Sequence, residues 1–388
     1  MRGIVVRQSA VLEDRIPSLG EWREIAILRG ITASGNDATL ICSSFDHYSM
    51  SQRTTGQNTP SYGRIFLKSP GYSNTASVSR IFDAWTFALK LFIYLFQNRD
   101  SIDFVVVSYP TPESTFITSL FSNYMRVHID VRDAWPGVFN LKGLKRVAFN
   151  LYCDSLFKFG LKRACSIIAM SDAMRIFTLR YSKELNCVVL PNPLGSPTVS
   201  KTDMSQHYEF NQLNLNDGPV VKLFFAGTLN QQFDFKIVED TSKLLKVNSI
   251  KHQFLIAGGG KNYEALAKQY ASSNIKFLGQ LDKLVCDEYS KICDGFFCFY
   301  KDESFKGHLT NKILDYLRFD KAIFHNLGYD FLIDRQKVPI GHNIEVAEDF
   351  YGLIEQLVNG KLVTSDLTAV IPTVESFGEK IMNIITEK

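Results

Sequence analysis

Three stretches between residues 220 and 279 decide the fold. They are VVKLFF (Val220–Phe225) running into Ala226-Gly227-Thr228, QFLIA (Gln253–Ala257) running into Gly258-Gly259-Gly260, and IKFL (Ile275–Leu278) running into Gly279. The runs are nearly continuous rather than alternating, which marks strands covered on both faces, as in a parallel sheet. Phe235–Val247 and Lys261–Ala271 lie between them and read as helices. Strand, helix, strand, helix is the order of a doubly wound sheet, and ligands bind such sheets at the carboxyl ends of the strands. One glycine after a strand is usually a turn. Three strands ending this way in succession predict a nucleotide crevice.

The alternation continues on both sides. Downstream, Asp282–Ile292 reads as a helix, Gly295–Tyr300 as a strand, Asn311–Arg318 as a helix, Ala322–His325 as a strand and Glu345–Val358 as a helix. Upstream, strands are expected at Gly3–Val6, Ala38–Cys42, Arg64–Leu67, Phe104–Ser108, Met125–Asp130, Ser166–Met170 and Cys187–Leu190. Helices are expected at Leu19–Ile31, Ser77–Gln97, Lys142–Arg163 and Asp172–Tyr181. Pro191, Pro193 and Pro197 then punctuate the chain, and the polar residues 196–219 read as a linker. The 388 residues suit two or three domains. The expected class is α/β, with two doubly wound Rossmann-like domains and a cleft between them, 1–195 and 196–369.

Composition excludes other classes. With 45% hydrophobic and 21% charged residues, the chain is neither disordered nor fibrous. Its 30 Phe and 16 Tyr need deep cores or a greasy surface. The 7 Cys are scattered without C-x-x-C, and Cys and His never cluster at ligand spacing, so no metal is expected and the thiols read as buried and reduced. MRGIVVRQ reads as a first strand rather than a secretory leader, and the expected location is cytoplasmic. The longest greasy stretch, Trp85–Phe96, is broken by Lys90 and falls short of the ~20 apolar residues that span a bilayer. Neither G-x-G-x-x-G nor G-x-x-x-x-G-K-[ST] occurs, which disfavours dinucleotide oxidoreductases and P-loop NTPases.

Charge is uneven. Residues 1–195 hold 22 Lys and Arg against 15 Asp and Glu, or +7, and the remainder holds 21 against 25, or −4. The basic half is suited to an anionic lipid surface or a phosphorylated acceptor. Its helices Val78–Gln97 and Lys142–Arg163 are aromatic and basic, a pattern shared by core helices and by helices that dip into a bilayer surface.

The segment FYKDESFKGHLTNKILDYLRFDKAIFHN (Phe299–Asn326) places a polar loop between a strand and a helix. Thr310 or Asn311 would cap that helix, and its free amides would attract a phosphate. His308 and Lys312 add donors, and the Asp315 carboxylate would accept hydrogen bonds from ribose hydroxyls. A capped surface helix with a solvated charge cluster has the same local pattern.

This segment resembles the nucleotide-sugar loop of retaining family-4 glycosyltransferases of the GT-B fold. Their P-x-K-x-x-E-Y is matched by Thr310-Asn311-Lys312-Ile313-Leu314-Asp315-Tyr316. DVRDAWP (Asp130–Pro136) is similar to the D-x-R-D-x-W-P motif of amino-sugar transferases in bacterial surface-polysaccharide pathways. SDAM (Ser171–Met174), LPNP (Leu190–Pro193), FFAGTL (Phe224–Leu229), FLIAGGG (Phe254–Gly260) and FLGQL (Phe277–Leu281) follow the family's order, and the match covers most of the chain. The first Glu of the family's Glu-x7-Glu falls on Gly307 and the second on Asp315, with Glu303 four residues before Gly307 as a candidate replacement.

The resemblance implies a metal-independent retaining enzyme of hexosyl or N-acetylhexosaminyl type. It would move a sugar from a nucleoside diphosphate, with UDP expected, to a glycan or lipid-linked oligosaccharide of an O-antigen or capsule pathway. A GT-B nucleotide-sugar epimerase or a non-catalytic subunit are the alternatives. No cofactor beyond the donor substrate is implied, nucleic acid is not an expected partner, and the inner face of the cytoplasmic membrane is a candidate peripheral surface. Carried over by position, the donor residues would be Gly227, Thr228, Lys236, Gly258, Gly259, Leu281, His308, Leu309, Thr310, Asn311, Lys312 and Asp315. The acceptor residues would be Gly20 and Trp135, and the catalytic residues Asp133, Arg132 and Glu303. Asp133 would orient the acceptor hydroxyl or act as base, or else pair with Arg132 to fix the loop; Trp135 would bind acceptor or simply pack. The helix at about 370–388 would cross back onto the first domain.

Overall fold

The computed structural model describes residues 1–10, 23–47, 49–53, 62–73, 77–136, 141–181, 186–194, 220–303, 306, 309–328, 331–333, 336–362 and 371–387. The predicted linker, Gly20 and His308 lie outside the described residues.

Two Rossmann-like sheets are present. The first contains β1 (Arg2–Val6), β2 (Asp37–Ser43), β3 (Gly63–Leu67), β4 (Phe104–Tyr109), β5 (Arg126–Val131), β6 (Ser166–Ala169) and β7 (Cys187–Val189). Their spatial order is β3-β2-β1-β4-β5-β6-β7, and every pairing is parallel. The second contains β8 (Val221–Ala226), β9 (His252–Ala257), β10 (Ile275–Gly279), β11 (Gly295–Cys298), β12 (Ala322–His325) and β13 (His342–Asn343). Its order is β10-β9-β8-β11-β12-β13, again all parallel. In both sheets the winding reverses beside the first strand, between β1 and β4 and between β8 and β11. Those reversals are the topological switch points where open sheets bind ligands.

Among the described residues, eleven helices cover the faces: α1 (Arg23–Ala33), α2 (Val78–Asn98), α3 (Pro112–Ser119), α4 (Gly143–Leu161), α5 (Asp172–Leu179), α6 (Phe235–Val247), α7 (Tyr263–Tyr270), α8 (Lys283–Ile292), α9 (Asn311–Tyr316), α10 (Ala347–Val358) and α11 (Val374–Thr386). The sequence reading missed α3. Seven of its eight residues, PESTFITS, are buried, so it has no polar face and hence no amphipathic period to detect. What it does show is Pro112 at its start, a position where the missing N–H is harmless.

The strands are buried because they are apolar on both faces. Val105, Val106, Val107, Phe254, Leu255 and Ile256 have no exposed surface. The chain returns to the first domain at its end. Leu194 N–H donates to the Pro372 carbonyl at 2.9 Å, and α11 then lies on α1. Gly30 and Gly378 meet there at backbone contact, with no room for a Cβ on either.

Candidate active site

The carboxyl edge of the second sheet is built from bare backbone. Gly227 and Gly258, at the ends of β8 and β9, have φ of +153° and +151°. A Cβ on Gly258 would strike the Gly227 carbonyl oxygen, and one on Gly227 would strike Lys312 Nζ. Thr228 is exposed beside them, and the Gln280 side chain stands against Gly259. No side chain fits between these strand ends, so the edge presents main chain, packed closely against itself and Lys312.

Lys312 places its ammonium group at this edge. Its Nζ lies 5.6 Å from the Phe225 ring centroid and 5.2 Å from that of Phe233. Burial pushes its pKa down, with the Cys298 and Asp315 charges opposing. Ile313, Leu314 and Tyr316 seat α9 in the core. Tyr316 stacks on Phe296 at 4.5 Å, and its hydroxyl accepts from Ala226 N–H at 3.1 Å. A helix rooted at these points holds Lys312 over Gly227.

Several expected donor residues sit differently from the sequence reading. Thr310 is the N-cap residue, but its side chain makes no cap hydrogen bond. The α9 helix has six residues before a 3-10 turn at Leu317–Phe319, so its dipole is small and cationic stabilisation rests on Lys312. Asp315 lies in the second turn of α9, 3.6 Å from Lys283 and 3.7 Å from Arg318, so its carboxylate already faces two cations. Arg318 and Asp287 form a buried pair at 2.9 Å beneath it. Leu309 is buried in the core, which leaves only its backbone to a ligand, and Leu281 packs at the core margin. Lys236 points along α6, pairing with Glu239 at 3.0 Å and Asp240 at 2.8 Å on an exposed face. Asn311 instead reaches the first domain, its Oδ1 accepting from Asn192 Nδ2 at 2.7 Å.

In the first domain, Arg132 does not pair with Asp133. Its Nε donates to Asp130 at 2.7 Å and its Nη1 to Glu24 at 2.6 Å. Arg23 donates to the other Asp130 oxygen at 2.6 Å, to the Leu190 carbonyl at 2.7 Å and to Asn192 at 3.2 Å. Burial alone would raise the Asp130 pKa; the two guanidiniums outweigh it and hold the carboxyl below its usual range. Glu24 is likewise lowered, by Arg132 and Arg7 against burial. This network ties α1, β5 and the LPNP segment together and ends at Asn311. Asp133, one residue further along the chain, is exposed.

Sequence reasoning also missed Glu113. It is 3% exposed, at the start of α3, and one oxygen accepts from the Tyr152 hydroxyl. Burial pushes its pKa up, with Tyr152 and Arg80 opposing. With Trp135, Arg80, Gln8, Thr111 and Lys145 it lines a cavity of about 490 Å³. Arg80 lies 4.7 Å over the Trp135 ring, so Trp135 is a cavity wall. The available signal was an acidic residue directly after the Pro that opens a helix at a strand's carboxyl end. Glu303 is elsewhere. It pairs with Lys306 at 2.7 Å, with its side chain 83% exposed, and lines a smaller cleft of about 260 Å³ with Tyr300, Asn326 and Asn343.

Among the described residues, no group of three His, Cys, Asp or Glu is placed to hold a metal, and no helix is long and apolar enough to cross a membrane.

Two Rossmann-like domains, joined so that the last helix returns to the first, define the GT-B fold. Solved structures of that fold superpose on the whole chain. Sucrose-phosphate synthase from Thermosynechococcus elongatus is similar with a TM-score of 0.63 at 13% identity, covering 99% of this chain and 95% of that one. Anabaena HepE, solved with UDP and glucose, gives 0.62 at 12% identity over 100% of both chains. WaaG, a glycosyltransferase involved in lipopolysaccharide biosynthesis, gives 0.60 at 12% over 100% of both. No family model matches the chain, and no curated protein matches it.

Proposed function

We propose that the chain is a retaining glycosyltransferase that moves a sugar from a UDP donor to a lipid-linked or glycan acceptor of a bacterial surface polysaccharide. The observation that carries the proposal is the bare-backbone edge at Gly227 and Gly258 with Lys312 held over it. Such an edge accepts a diphosphate and supplies a cation where leaving-group charge develops, so catalysis is mainly electrostatic. The complex of HepE with UDP and glucose supports a donor of this class on this fold.

In this scheme Asp315 accepts from the ribose hydroxyls, while Glu303 stands in for the family's first Glu. Asp133, exposed beyond β5, orients the acceptor hydroxyl, and the leaving phosphate takes its proton. Arg132 is a positioning residue that holds the loop through Asp130. The first domain faces the inner membrane surface with Lys142, Lys145, Arg146, Lys158, Lys162 and Arg163, each worth ~1 kcal/mol near anionic lipid.

UDP titrated calorimetrically into the protein should bind. Asp315→Ala should weaken it at least about tenfold through loss of one or two charge-assisted hydrogen bonds of roughly 1.5–3 kcal/mol each, with the fold intact. Unchanged affinity would remove Asp315 from the site, and absence of UDP binding by the wild type would end the donor assignment.

A further inference from the structure

Two helices of the second domain are tied together by a ring of four charged side chains. α8 is rooted on β8, where Tyr289 stacks on Phe224 at 5.6 Å, and α9 is rooted on β11 through Tyr316 and Phe296. These are the strands between which the winding reverses. Lys283 opens α8, and Asp287 follows one turn later. Arg318 lies in the 3-10 turn after α9. The side chains of Asp287 and Arg318 are each 1% exposed and meet at 2.9 Å. Lys283 Nζ lies 3.4 Å from Asp287 Oδ1 and 3.6 Å from Asp315 Oδ1. Arg318 Nη1 lies 3.7 Å from the same Asp315 oxygen.

The members of the ring are not equivalent. Asp287 is buried and touches both cations, so it fixes where they stand. Asp315 is the outward end, with its side chain 38% exposed. Both cations approach it at distances beyond a hydrogen bond. They are close enough to steer the carboxylate by charge and too far to occupy its lone pairs. An aspartate so exposed would otherwise sample several rotamers, and ordering it would cost a ligand part of its affinity. Asp315 also opposes the loss of charge on Lys312, which places it beside the Gly227 edge. Lys283 is the member that can be removed cleanly. Without Arg318, Asp287 would be left in the core without its guanidinium; without Lys283, Asp287 keeps it.

We propose that Lys283 is a positioning residue for donor recognition: anchored on Asp287, it holds Asp315 in the orientation that accepts from ribose hydroxyls. The proposal rests on the reading that Asp315 meets the ribose. It adds a residue on a different helix that acts through Asp315 and makes no contact with the donor. Its contribution is therefore selective. It favours a nucleotide that carries ribose hydroxyls and is without effect on one that lacks them, because a carboxylate held in place is useful only to a group that can donate to it.

The test is calorimetry on the full chain with two probes, UDP and 2′,3′-dideoxy-UDP. The wild type should prefer UDP at least about tenfold, and Asp315→Ala should abolish that preference. Lys283→Met should reduce the preference about fivefold, all of it through weaker UDP binding. Lys283→Arg should restore most of it. In the Asp315→Ala background, Lys283→Met should change neither affinity, since the residue it positions is gone. A general attraction of the lysine for the diphosphate acts on both probes alike. Equal weakening of both by Lys283→Met would therefore overturn the proposal. So would an unchanged preference, or tighter UDP binding, which would make Lys283 a competitor for the ribose site. These failures leave the discrimination by the wild type intact. A wild type that binds both probes equally, or neither, would overturn the ribose role of Asp315 itself and this proposal with it.

Discussion

The two sheets share one winding order but finish their carboxyl edges in opposite ways. In the second domain the edge is glycine backbone with Lys312 over it. In the first domain the corresponding edge is crowded with charge: Arg23, Glu24, Asp130 and Arg132 are all buried and mutually bonded, and Glu113 floors a cavity. A diphosphate needs close approach to main chain and one well-placed cation. An acceptor needs shape, and shape at a sheet edge is made by side chains held rigid from behind. On the proposed reading the same topology would serve two ligands, since function is grafted onto strand ends rather than dictated by the fold.

Breaking the charged edge should have the largest effect. Arg132→Leu leaves Asp130 and Glu24 short of a buried partner and should cost about 3–5 kcal/mol in chemical denaturation. A loss well below that would mean that the network is not a rigid support. Its carboxyl pKa values are lowered in the fold, so their stabilisation is complete above the unfolded carboxyl range and fades as pH falls through the folded values. The wild type should lose this stability on acidification, and Arg132→Leu should show a flatter acid limb.

Removing Lys312 should cost less and spare stability. Lys312→Ala should lower UDP affinity roughly 10- to 150-fold, the 1.5–3 kcal/mol of a charge-assisted contact, while denaturation is little changed because burial already disfavours its charge. A variant that binds UDP normally would erase the contrast between the edges.

The smallest expected effect sharpens the comparison inside the first domain. Burial raises the Glu113 pKa, so above the ordinary carboxyl value the native state holds the proton longer than the unfolded chain, and stability falls as pH rises. Glu113→Gln should therefore be more stable than the wild type by about 1 kcal/mol at pH 7–8, with the difference shrinking towards pH 4. A pH-independent difference would show that Glu113 titrates as it does when unfolded.

Much of the architecture was legible in local sequence. FVVVS, VVKLFF and QFLIA announce covered strands because short, nearly continuous apolar runs have few other stable fates, and the glycines after the last two mark the edge of the second sheet. Lys312 and the D-x-R-D stretch were visible as motifs. The role of Arg132 was not, because its partner Glu24 lies 108 positions away in a helix with nothing unusual about it. Glu113 was hidden for the reason α3 was: a segment buried on nearly every side leaves no periodic trace.

Periodicity and turn chemistry act over a few neighbouring residues, so the chain's own order specified the two wound sheets, the bare edge of the second and the basic character of the first. Burial and pairing depend on residues brought together from far along the chain. Folding alone put Asn192 against Asn311 across 119 positions, turned Lys236 towards its own helix, and enclosed Glu113 with one oxygen unsatisfied. Desolvation and ion-pair energies arise only when water has been excluded, and no stretch of sequence states which side chains will lose it.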